Sequence, residues 1–227
     1  MVVDNFDTIG KLISIDKHDL DTFYHLQILR RGKDHPELSS ANRMIKAYFI
    51  DSNEALDKLK SEIINLCNVF GARAYINLSP KSYKKCSLQT ISDMAKRISD
   101  GDFKKIYRSW NSVAGYIKSS EPHWIIDVDT KDVKLLTEAW AYAKTLNPNG
   151  VKLYATIPTL HGFHIISSAF NLFEFRKKFS DIEIHKNNPT VLYIPQVICD
   201  REHEKEIRER QQEIQGEKAP TVSEGKD

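Results

Sequence analysis

The sequence predicts a mixed α/β (α+β) fold, and three observations predict it. Apolar residues switch repeatedly between the two-residue period of strands and the three-to-four-residue period of helices. A composition of 41% hydrophobic and 28% charged residues over 227 positions gives one generous domain enough apolar surface for a real core. No repeat of solenoid period interrupts the alternation, which favours strands and helices mixed along one chain over a bundle, a sandwich or a repeat array.

The first element is the least defined. Residues 1–40 carry helical periodicity without a usable motif and are expected to form an N-terminal helical extension. Met44 to Ile50 reads as a strand. Asn53 to Phe70 reads as a helix with Leu56, Leu59, Ile63, Leu66 and Cys67 on one face and Gly71 as its stop. Ala72 to Leu78 is a second strand, succeeded by helical segments at Leu88 to Ile98 and Phe103 to Ile117. His123 to Val128 is a short apolar strand, and Asp132 to Leu146 an amphipathic helix stopped by Asn147-Pro148-Asn149-Gly150. Strands at Val151 to Ile157, Gly162 to Ser168, Ile182 to His185 and Thr190 to Pro195 complete the series, with a helix at Asn171 to Phe179. Residues 41–200 thus form the main domain. Residues 201–227 are a charged, partly disordered tail, helical through Gln215 and fraying around Gly216, Pro220 and Gly225.

The formal net charge of +2 suggests no polyanion partner, but it is a sum of unlike parts. The tail holds six basic and eight acidic residues, which leaves the rest near +4. Lys81 to Lys118 holds nine Lys and Arg against three Asp. Three widely spaced cysteines, Cys67, Cys86 and Cys199, form no CxxC pattern and read as reduced structural thiols. The start, Met1-Val2-Val3-Asp4, lacks the basic and apolar regions of a signal peptide, and no apolar run is long enough to span a bilayer. A cytoplasmic protein without a membrane partner is the expectation.

Three short motifs carry chemistry. In Trp124-Ile125-Ile126-Asp127-Val128-Asp129, strand alternation puts Asp127 and Asp129 on one face, a pair of carboxylates suited to Mg²⁺ or Mn²⁺. The competing reading is a strand end in which Asp129 caps the next helix. In Thr159-Leu160-His161-Gly162-Phe163-His164, a hairpin turn would place His164 at the start of the returning strand, where it can donate to a phosphate that small Gly162 lets approach. An ordinary turn with a structural histidine fits as well, and His161 reads as a turn residue pointing away from His164. In Asp181-Ile182-Glu183-Ile184-His185-Lys186-Asn187, Glu183 alternates with apolar neighbours and can complete an acidic cluster or face solvent on an edge strand.

The order of these motifs, a two-acid strand, then small-x-His, then an acid on a strand, resembles the archaeo-eukaryotic primase superfamily, including the primase-polymerases. Asp127 and Asp129 match its first motif, Gly162-Phe163-His164 its second, and Glu183 or Asp181 its third. The residues from Lys186 to Tyr193 resemble the segment that primase-polymerases carry after their third motif. Gly162 stands where that family more often has Ser. The resemblance implies a primase-type catalytic domain with an RRM-like sheet and an N-terminal α/β unit. It further implies two divalent ions, Mg²⁺ or Mn²⁺, held by Asp127, Asp129 and Glu183 (alternatively Asp181), with His164, Gly162 and Lys186 at a nucleoside triphosphate. Arg73 can reach a phosphate or pair with an acid.

Template-directed nucleotidyl transfer in the replication of a virus, plasmid or similar element is the function this implies, with a separate helicase as a further partner. A single-stranded or primed template would lie along Lys81, Lys84, Lys85, Lys104, Lys105 and Arg108, interleaved with Tyr83, Phe103, Tyr107 and Trp110. The same residues also fit a solvated helical face with Phe103 and Trp110 in the core. A non-catalytic nucleic-acid-binding module and a metal-dependent nuclease or phosphodiesterase are the competing functions.

Overall fold

The computed structural model describes residues 2–16, 18–35 and 42–217. Its elements are β1 (Val3–Asp4), α1 (Phe6–Gly10), β2 (Thr22–Arg30), β3 (Arg43–Ile50), α2 (Asn53–Phe70), β4 (Arg73–Ser82), α3 (Tyr83–Ser99), a 3₁₀ helix (Phe103–Arg108), α4 (Ser109–Tyr116), β5 (Trp124–Val128), α5 (Val133–Thr145), β6 (Leu153–Pro158), β7 (Phe163–Ser167), α6 (Leu172–Lys178), β8 (Glu183–His185), β9 (Thr190–Ile194) and α7 (Gln196–Glu217). Two antiparallel sheets result, one ordered β1-β9-β4-β2-β3 and one ordered β6-β7-β5-β8, within one mixed α+β domain.

Local chemistry accounts for the helix ends. Ser52 accepts from Ala55 N at 3.1 Å to start α2, and Gly71, left-handed at φ 53°, ends it. Ser82, Asp132 and Asn171 cap α3, α5 and α6 by accepting from Lys85 N, Lys134 N and Glu174 N. The cap of α5 is therefore Asp132, which leaves Asp129 without the capping role.

Alternation along the strands builds two apolar layers. Leu56, Ile63 and Cys67 of α2 share one core with Leu26 and Ile28 of β2 and Ala74 and Ile76 of β4. Ile125, Ile157 and Ile166, from one face of the second sheet, join the same core and so turn that face toward the first sheet. Their strand neighbours Ile126, Val128 and Ile165 face the other way, onto Ala139 and Ala143 of α5 and Phe175 of α6. Each such fully buried Leu, Ile or Phe contributes about 1.5–3 kcal/mol.

Among the described residues of 1–40 the expected helical extension does not form. The described part of that segment supplies β1, the five-residue α1 and β2, and β2 lies between β4 and β3 inside the first sheet. A central strand is covered on both faces, so its side chains are apolar or neutralised on both, and the period-two signal fades. The tail begins as the helix α7, and Pro220 and Gly225 lie outside the described residues. All three cysteines are free and buried. Among the described residues no helix is long and apolar enough to cross a membrane.

Candidate functional site

β5 sits between β7 and β8, and its register fixes the site. Asp127 lies opposite His164 on one side and opposite Glu183 on the other. Residues directly opposite in an antiparallel pair project from the same face, about 4.5–5.5 Å apart. Asp127, His164 and Glu183 thus form one row across three strands, and of the two candidate third acids it is Glu183 that the register sets opposite Asp127. Asp181 lies in the turn before β8, exposed and hydrogen-bonded to Ser180, and Glu183 is the residue facing the row.

The row opens into a cleft of about 1120 Å³ between the two sheets, whose lining includes Asp127, Asp129, His164, Glu183, His185 and Arg73. His164 Nε2 stands 3.4 Å from Asp127 Oδ1, and His185 Nε2 stands 3.5 Å from Asp127 Oδ2. Burial works to raise the Asp127 pKa, but the imidazoles of His164 and His185 beside it outweigh burial and hold the carboxyl below the ordinary value. His164 Nδ1 meets Thr190 Oγ1 at 2.8 Å, and Thr190 is 1% exposed on β9. The first sheet therefore sets the ring orientation of a residue on the second. Neither His185 nor Thr190 was singled out by the motifs. His185 had a signal, two residues after Glu183 on one strand, whereas Thr190 had none.

Gly162 has a different role from the one expected. A Cβ there would lie 2.0 Å from Val128 O, 2.6 Å from Thr130 N and 2.8 Å from Thr130 O. The missing side chain makes room for the backbone that carries Asp129 out of β5, not for a phosphate. Gly162→Ala should destabilise the fold by about 1–3 kcal/mol through overpacking, seen as a lowered melting temperature, and should displace Asp129.

Arg73 lines the cleft but is committed to an acid. Its Nε and one Nη donate to Asp34 at 2.7 and 2.6 Å, and Glu202 of α7 stands 3.8 Å away. His161 also lines the cleft, with Nε2 3.8 Å from Glu202 Oε2, because the turn residues 159–162 do not follow strand alternation. Lys186 is not at the cleft. One residue beyond the His185 that ends β8, its Nζ lies 4.7 Å over the Trp124 ring, beside the layer that faces α5 and α6.

The basic segment divides. Lys84, Lys85, Lys104, Lys105 and Arg108 are exposed, as are Phe103 and Tyr107, at 64% and 74%, while Trp110 packs with Phe23, Phe49 and Tyr83. None of them lines the cleft that holds Asp127. Lys81 is 2% exposed and donates to Ile117 O at 2.8 Å, so it closes the carbonyl end of α4 and offers no surface to nucleic acid. Burial pushes its pKa down to about 8. The unfolded chain then binds more protons than the folded one from pH 8 to the ordinary lysine value near 10.5, so stability should climb with pH across that window. Lys81→Met should flatten the climb in melting temperatures measured from pH 7.5 to about 10.5.

No protein-family model matches the chain, and neither a curated protein nor a solved structure matches it.

Proposed function

We propose that this chain is a template-directed, divalent-metal-dependent nucleotidyltransferase of primase-polymerase type. The observation that supports it most is the single row of Asp127, His164 and Glu183 across β7, β5 and β8, at the mouth of a cleft that Asp129 also lines. Chance occurrence of three short motifs would not require them to meet on one sheet face in register.

The donor chemistry fits hard cations. Asp127, Asp129 and Glu183 supply carboxylate oxygens on one wall of the cleft, the ligand type that Mg²⁺ and Mn²⁺ take. Among the described residues no three Asp, Glu, His or Cys side chains already stand in an arrangement that would hold a metal ion. Ions of this class keep water and substrate phosphates in their shell, so a few carboxylates suffice to hold them. When bound, such ions would polarise the phosphoryl group, lower the pKa of an attacking hydroxyl and neutralise the leaving pyrophosphate.

The chain's own residues do the rest. Asp127, kept ionised by its two imidazole neighbours, anchors the negative wall. His164, held at Nδ1 by Thr190, turns Nε2 toward Asp127 and the cleft, where it can donate to a triphosphate oxygen as charge accumulates there. The exposed Lys84, Lys85, Lys104, Lys105 and Arg108, with Phe103 and Tyr107, offer cations and stacking faces for a single-stranded template.

The test is nucleotide incorporation on primed and unprimed templates with Mg²⁺ or Mn²⁺. Metal-dependent product on either template supports the proposal. Cleavage of the template without added nucleotides supports a nuclease instead. Single-strand binding with neither activity reduces the chain to a binding module.

A further inference from the structure

The proposed reaction gives His185 no direct contact with an ion or a nucleotide, although its side chain stands in the row. It comes two residues after Glu183 on β8, so both face the cleft. Its Nε2 lies 3.5 Å from Asp127 Oδ2 and 3.4 Å from Glu183 Oε2. Both distances are long for an N–H···O hydrogen bond. They are close to the separation of two donors sharing one ion, about 3.0–3.4 Å when each lies about 2.1 Å from the metal. The Glu183 side chain is 77% exposed, so it can turn inward to close the set that His185 and Asp127 begin.

We propose that His185 is a nitrogen ligand of the ion held between Asp127 and Glu183, and that it biases this site toward borderline first-row ions such as Co²⁺ over Mg²⁺. The proposal rests on the nucleotidyltransferase reading for the metal-binding roles of the two carboxylates. A site of carboxylates alone suits Mg²⁺, whereas an imidazole adds little for Mg²⁺ and progressively more along the series from Mn²⁺ to Co²⁺. His185 is thereby a selectivity residue that the three motifs do not contain.

Calorimetric titration of the full chain with CoCl₂ and, separately, MgCl₂ tests this without reference to activity. The wild-type chain should bind Co²⁺ more tightly. His185→Ala should weaken Co²⁺ by at least about tenfold, since even the partners of metal ligands cost about 10–100-fold when removed, and should change Mg²⁺ much less. His185→Asp, which restores an oxygen donor, should recover binding with the preference moved toward Mg²⁺. That recovery separates a ligand from a residue that merely supports the fold. An unchanged Co²⁺-to-Mg²⁺ ratio in both variants, with binding lost in Asp127→Asn, overturns the role of His185 and leaves the metal site standing. Binding that survives Asp127→Asn unchanged, or no saturable binding by the wild-type chain, overturns both.

Discussion

Asp127→Asn should lower metal-dependent nucleotide incorporation by at least about 10³-fold in kcat while leaving the fold intact. Charge stabilisation by bound cations contributes several kcal/mol to such reactions, and about 4 kcal/mol corresponds to a thousandfold in rate. The substitution keeps shape and removes only the charge. The Asp127 side chain is 30% exposed, and its two polar neighbours, His164 and His185, stand 3.4 and 3.5 Å away, so an amide leaves no buried ion unpaired beneath it. Single-turnover primer extension at saturating nucleotide measures the loss, and far-ultraviolet circular dichroism checks the fold. A loss below tenfold with normal folding would remove Asp127 from the reacting centre. Glu183→Gln should show a smaller loss, because Glu183 is the more exposed member of the row.

Asp34→Asn should be among the most damaging single changes for stability. The Arg73 and Asp34 side chains are 5% and 2% exposed, and the two form a bidentate pair. Removing one partner from a buried pair typically costs about 3–5 kcal/mol, because the other charge stays buried without compensation. Glu202, 3.8 Å from Arg73, is the anion that remains nearby, and at that distance it makes no hydrogen bond. For a domain of this size the melting temperature should fall by about 2–4 °C for each kcal/mol. The double change Asp34→Leu with Arg73→Met should recover most of the loss, since well-packed apolar replacements of buried ion pairs are often neutral or stabilising. A fall in Asp34→Asn of less than about 1 kcal/mol, measured by urea unfolding, would show that the pair behaves as a surface one.

The elements legible in the sequence are those written locally. The α2 helix matches the expected Asn53 to Phe70, because its apolar face, Ser52 cap and Gly71 stop all lie within that stretch and its two flanking residues. Strands β5 and β7 were legible because each is a short, nearly continuous apolar run, around Ile125-Ile126 in one and Ile165-Ile166 in the other. β2 was misread because its burial as a central strand erased the alternation that marks strands. Among site residues, Asp127, Asp129 and His164 were found as motif members and do line one cleft. Lys186 and Lys81 were misplaced, because a strand end and a helix end decided where each cation went.

By itself, the sequence determined the mixed α and β elements, the apolar face and glycine stop of α2, and a short set of carboxylates and a histidine in motif order. These are properties of neighbouring residues, set by side-chain period and backbone chemistry over a few positions. The tertiary structure alone decided that Glu183 rather than Asp181 faces Asp127 and that Thr190 orients His164. It likewise decided that Asp34 occupies Arg73 and that Gly162 gives way to the backbone of Val128 and Thr130. Those outcomes depend on strand register and on pairs separated by 26 and 39 positions in the chain. Contacts of that kind form only when distant segments pack, and no local pattern encodes which partner will be there.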